Sequence, residues 1–154
     1  MKINIKKLLV CIFIPVLLGS IVGFLTESGN SYNEFIKPSF APPGIIFPIV
    51  WFILYTLMGI SSYIVLESNS YLKEESIVVY ISQLVVNLVW SFLFFTFKWY
   101  LFSFIWLLFL IFLVVVMIMR FYKVSKVSGY LQIPYLCWLI FAAFLNFSIY
   151  LLNR

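Results

Sequence analysis

Histidine is absent from this 154-residue chain, and with it go the commonest zinc ligand, the usual haem-iron ligand and the side chain best placed for acid–base work near neutral pH. Charge is scarce. Only 10% of residues are charged, and all five carboxylates (Glu27, Glu34, Glu67, Glu74, Glu75) fall between the apolar runs rather than within them. A chain with no acid inside its apolar runs lacks the usual means of relaying protons or holding a cation, which argues against a proton-coupled exporter or an ion pump. The two cysteines, Cys11 and Cys137, sit inside apolar runs and are too few for a thiolate cluster, so they read as small buried apolar residues. Strict apolar/polar alternation is also missing, which excludes a membrane β-barrel.

What is present is hydrophobic length. Apolar residues make up 65% of the chain and the mean hydropathy is +1.14, far outside the range of ordinary globular domains. Charge-free runs cover Leu8 to Thr26, Pro38 to Leu66, Ser76 to Phe97, Trp99 to Met119 and Val127 to Asn153. Each can cross a hydrocarbon core of about 30 Å as a helix, the only plausible spanning form for continuous apolar sequence. The expectation is an all-α integral membrane protein: a single five-helix bundle over residues 1–154, with helices at about 8–25, 47–66, 77–97, 100–119 and 131–152. The one long loop, about 26–46, forms a lid. Seven cations (Lys2, Lys6, Lys7, Lys73, Arg120, Lys123, Lys126) fall on one side and three (Lys37, Lys98, Arg154) on the other. The positive-inside rule places the N-terminus in the cytoplasm and the lid outside. The basic start followed by an apolar core resembles a signal peptide, but the run continues through Leu25, so an uncleaved first helix is expected. The net charge of +5 is accounted for by topology, and no nucleic-acid partner is expected.

The chain is organised around Lys37 to Tyr63, where a proline-dense segment runs directly into the second helix. Pro42 and Pro43 favour extended geometry before them, Gly44 releases the chain, and Pro48 suits a first helical turn. Gly29, Asn30, Ser31 and Tyr32 read as a turn ahead of this segment. Helical spacing then aligns Trp51, Tyr55, Met58, Gly59 and Ser62 on the second helix. It aligns Gln83, Asn87, Trp90, Ser91 and Phe94 on the third, and Tyr135, Trp138, Ala142, Leu145 and Asn146 on the fifth. Mid-membrane amides should point into the bundle, because lipid offers them no partner. Trp99 and Trp106 suit the interfacial belt, whereas Trp51, Trp90 and Trp138, each with polar or small neighbours, suggest the walls of a pocket for a flat apolar molecule. Gly19 and Gly23 on the first helix would let a neighbouring helix approach closely, and the fourth helix reads as scaffold.

Three segments in order, FAPPGIIFPIVWFILYTLMG, QLVVNLVW and PYLCWLIFAAFLN, resemble the signature of the translocator-protein family, also called the peripheral-type benzodiazepine receptor and, in bacteria, the tryptophan-rich sensory protein. The resemblance spans about Pro38 to Asn153. Phe40 stands where the family usually has Trp, Phe92 replaces a frequent proline, and Phe147 with Ser148 replaces an aromatic pair. The resemblance implies a five-helix receptor, commonly a homodimer, that binds porphyrins such as protoporphyrin IX and benzodiazepine-type ligands under the first loop. It also implies a possible light- and oxygen-dependent porphyrin breakdown needing no metal, cofactor or acid–base pair. Trp51 and Trp138 would flank the ligand and would be the catalytic candidates. Asn87 would line the cavity and Ala142 would be the small residue that sets its shape. Tyr32, Tyr55, Trp90, Ser91 and Asn146 complete the expected ligand-binding set. Transport of tetrapyrroles or sterols is the alternative.

Overall fold

The computed structural model describes residues 2–154. Five of its helices are long and apolar enough to span a membrane. In chain order the elements are α1 (Ile5–Leu25), α2 (Ser28–Glu34), α3 (Ile46–Glu67), α4 (Lys73–Ser91) continued by a π-helical turn (Phe92–Thr96), α5 (Tyr100–Val124), α6 (Lys126–Tyr130) and α7 (Ile133–Asn153). The helix ends follow local chemistry. Asn4 caps α1 by accepting from the Lys7 amide at 3.1 Å, satisfying one of the first-turn donors that a helix leaves unpaired.

Several boundaries differ from those read off the apolar runs, because charged residues extend helices beyond the hydrocarbon. α4 starts at Lys73 rather than near 77 and places Glu74 and Glu75 in its first turn, where the helix dipole favours acids. α5 continues to Val124 instead of stopping at 119; Lys123 lies in its last turn, and Phe121 is fully buried. Arg120 on α5 pairs with Glu75 on α4. The charged residues between the apolar runs therefore largely sit on helix ends. The fifth span is preceded by the short α6, which packs beneath α3 through a hydrogen bond of 2.7 Å from Ser61 Oγ to the Ser128 carbonyl.

The lid also departs from expectation. Gly29 to Tyr32 form part of a helix, α2, rather than a turn. Low intrinsic propensity is overridden by burial: Tyr32 is 5% exposed and packs on Phe47, with ring centroids 4.8 Å apart. Glu27 takes the left-handed conformation at φ 48° to redirect the chain between α1 and α2.

α5 is the central strut. Leu107, Leu110, Val114 and Met117 are almost completely buried against α4 and α7, in keeping with its reading as scaffold. α1 is held mainly by α3, and their backbones meet at Gly59. A methyl group there would stand 2.6 Å from the Cys11 carbonyl oxygen. Further along α1, the Tyr55 ring occupies the space beside Gly19. α3 and α7 face one another through rings: Phe47 lies 5.6 Å from Trp138, and Trp51 lies 6.2 Å from Tyr135.

Candidate functional site

The splay of these helices beneath the lid leaves a cavity of about 790 Å³. Its walls come from α1 (Val16, Gly19, Gly23), α3 (Trp51, Tyr55), α4 (Trp90, Ser91), the π-turn (Phe94, Phe95) and α7 (Trp138, Ala142, Asn146). Tyr32 and Phe47 form the roof. The lining contains no Lys, Arg, Asp or Glu. Such a site offers stacking surfaces and a few neutral polar groups but no counter-charge.

The polar groups divide into engaged and unengaged sets. Trp90 Nε1 donates to Asn146 Oδ1 at 3.1 Å. Ser103 Oγ donates to the same oxygen at 3.2 Å, and Asn146 Nδ2 donates to the Tyr100 carbonyl at 2.9 Å. Trp90 and Asn146 are thus locked to each other and stiffen the α4–α5–α7 wall. Among the described residues, the indole N–H groups of Trp51 and Trp138 have no protein hydrogen-bond partner, in contrast to those of Trp90 and Trp106. Trp51 stacks on Tyr55 with centroids 5.2 Å apart and planes 28° apart.

Of the nine expected ligand-binding residues, eight line this cavity: Tyr32, Trp51, Tyr55, Trp90, Ser91, Trp138, Ala142 and Asn146. Asn87 does not. It is 4% exposed and lies below the chamber floor, where Oδ1 accepts from the Tyr55 hydroxyl at 2.8 Å and Nδ2 donates to the Tyr135 hydroxyl at 2.8 Å. The Tyr135 hydroxyl in turn donates to Gln83 Oε1 at 2.8 Å. Each end of the Asn87 amide is held by a neighbouring phenol, so it braces the floor of the chamber rather than lining it.

Sequence reasoning missed Phe47, which lies four residues before Trp51 on the same helical face and could have been found by extending that stripe by one turn. It also passed over Phe95, which only the wider turn of the π-helical segment brings to the chamber together with Phe94. Phe40, the departure noted in the lid, is half exposed and packs edge-on against Phe141 at 6.3 Å, outside the chamber lining.

The lid is tied down at several points. The Tyr32 hydroxyl donates to the Pro42 carbonyl at 2.7 Å, and burial pushes its phenol above the usual tyrosine range. The Lys37 ammonium lies 4.9 Å over the Tyr32 ring and donates to the Tyr32 carbonyl at 2.9 Å. Phe35 is sunk among Phe94, Phe95 and Tyr100. Asn153 at the end of α7 holds the strap at Ile36 twice, accepting from its amide at 3.1 Å and donating to its carbonyl at 2.9 Å.

Comparison with known proteins agrees with this architecture. The chain is 35% identical over 157 residues to the tryptophan-rich protein TspO of Chlorobaculum tepidum, covering 99% of both chains. It is 36% identical to the tryptophan-rich protein TspO of Archaeoglobus fulgidus, over 97% of this chain and 99% of that one. The translocator protein of Sus scrofa is 31% identical over 90% of this chain and 87% of its own. Residues 11–152 match the TspO/MBR family, and with five apolar spans over nearly the full relatives' length this integral, multi-pass membrane protein belongs to that family.

Proposed function

We propose that the chain is a membrane receptor that holds a porphyrin, or another flat hydrophobic molecule of the benzodiazepine-ligand type, between Trp51 and Trp138. The carrying observation is that an uncharged aromatic chamber of about 790 Å³, within the range of about 300–1,000 Å³ typical of small-molecule sites, presents two indoles with no protein hydrogen-bond partner. Their ring faces stack on the ligand, their N–H groups orient it, and Ala142 sets the width between them. Tyr32 and Phe47 close over it. The same reading includes a homodimer and a cytoplasmic N-terminus, the latter from the excess of cations on that side.

A second reading, light- and oxygen-dependent breakdown of the bound porphyrin, is favoured by the placement of Tyr55. Its ring stacks on Trp51, with the phenol held by a hydrogen bond of 2.8 Å to Asn87 Oδ1, so an oxidised Trp51 has an electron-rich aromatic neighbour in contact. Titrating purified protein with protoporphyrin IX while following tryptophan fluorescence, in the dark and then under light with oxygen, tests both readings. Saturable quenching weakened by Trp51→Phe and Trp138→Phe is expected. An unsaturable response removes the binding reading, and an unchanged product spectrum under light removes the second.

A further inference from the structure

The geometry points to a lateral window between α1 and α3, at the lid end of the bundle, as the route by which a membrane-dissolved apolar ligand reaches the chamber. This rests on the binding reading above and adds where the ligand comes from. Their backbones approach closely at Gly59, where an added methyl would sit 2.4 Å from the Ile12 Cα of α1. Towards the lid they are spaced by the Tyr55 ring. Beyond that ring, Ser20 on α1 and Pro48 and Phe52 on α3 line the chamber and are themselves exposed, Phe52 over 60% of its surface. Exposed lining residues on two adjacent spans mark a place where the chamber wall between them is incomplete. Ser20 and Phe52 lie within the spanning segments, so this opening faces hydrocarbon.

Its rim suits apolar traffic. Ser20 Oγ is turned back onto the Val16 carbonyl of its own helix at 2.7 Å, so no unpaired hydroxyl obstructs the passage or holds water there. The water-facing side also brings exposed residues to the chamber, Gly29, Asn30, Asn33 and Ile45, but it is fastened. Ser28 Oγ ties α2 to the Gly23 carbonyl at 3.3 Å, Tyr32 ties it to Pro42, and Asn153 secures the strap at Ile36. The other groove at this depth, between α3 and α7, shares only Trp138 with the chamber.

The test is stopped-flow tryptophan quenching on mixing the full chain in lipid nanodiscs with vesicles preloaded with protoporphyrin IX. The association rate is expected to follow the mole fraction of porphyrin in the bilayer. Ser20→Phe, at an exposed position of the rim, slows association and dissociation together by about tenfold, within the range over which association rates vary among variants of one site. Phe52→Ala, which widens the window, speeds both. Asn153→Ala, remote from the chamber, leaves the association rate unchanged. An association rate indifferent to Ser20→Phe and Phe52→Ala, or one raised by Asn153→Ala, overturns the window in favour of passage through the lid. Loss of saturable quenching in the native chain would count against the binding reading and is seen before any variant is compared.

Discussion

Gly59→Ala tests the contact that fixes the position of α1. In lipid, helices gain nothing from hiding apolar surface from one another, so close van der Waals approach at small residues carries much of the association. α1 buries only Cys11 and Pro15, and its backbone meets that of α3 at Gly59. The added methyl would lie 2.6 Å from the Cys11 carbonyl oxygen and 2.8 Å from the Ile12 amide nitrogen. Both are backbone atoms and neither can swing aside, so α1 must shift as a body. That movement strains the hydrogen bond of 2.9 Å from the Asn4 amide to the Tyr63 hydroxyl and the Lys7–Glu67 ion pair. Overpacking of this kind costs about 1–3 kcal/mol, while alanine recovers about 1 kcal/mol of helix propensity, leaving a net loss of up to about 2 kcal/mol. Gly23→Ala is the internal control. Its methyl would meet only Ser28 Oγ at 3.8 Å, so it keeps a gain of about 0.5–1 kcal/mol. Propensity cancels between the two variants, which isolates the steric cost. Denaturant titration in micelles followed by tryptophan fluorescence measures it; a Gly59→Ala protein as stable as Gly23→Ala would refute the close crossing.

Three further outcomes are expected. Ala142→Leu fills space between the Trp138 and Trp51 walls and should weaken porphyrin quenching by at least about tenfold, at an overpacking cost of about 1–3 kcal/mol; unchanged affinity by fluorescence titration would place Ala142 outside the site. Asn87→Leu leaves the Tyr55 hydroxyl unpaired, while that of Tyr135 keeps its bond to Gln83, and should destabilise the fold by about 1–3 kcal/mol, read as a lower denaturation midpoint; a stability equal to the native chain would mean the floor network bears no weight. The Tyr32 phenol titrates above its unfolded value because burial disfavours the phenolate. Its stabilising contact is therefore complete below about pH 10, the ordinary tyrosine value, and is lost as pH rises through the higher folded value. Tyrosinate absorbance of the native chain minus that of Tyr32→Phe should show this late transition, and a component at or below pH 10 would contradict it.

Sequence periodicity put Trp51 with Tyr55, Trp90 with Ser91, and Trp138 with Ala142 and Asn146 on one face each of three helices, because residues three and four apart share a face; the roles of Trp51, Trp138 and Ala142 rested on the family resemblance, and the structure brings the three faces to one cavity. It could not separate Asn87 from Asn146. Both are amides on pocket-facing stripes, and only the arrival of the Tyr55 and Tyr135 hydroxyls from other helices places Asn87 below the floor. Nor could it show that Trp90 is tied to Asn146 while Trp51 and Trp138 are left without partners, since that depends on partners more than fifty positions away in the chain.

Composition and the placement of charge by themselves determined that this is a five-span helical membrane protein without an internal acid or base, because lipid tolerates neither unpaired backbone nor unpaired charge. The helical α2, the π-turn that brings Phe95 to the chamber, the latches on the lid and the opening between α1 and α3 were decided only by tertiary structure. Each is set by how close two helices can come, which depends on single side chains such as Gly59 and Tyr55 meeting across the bundle.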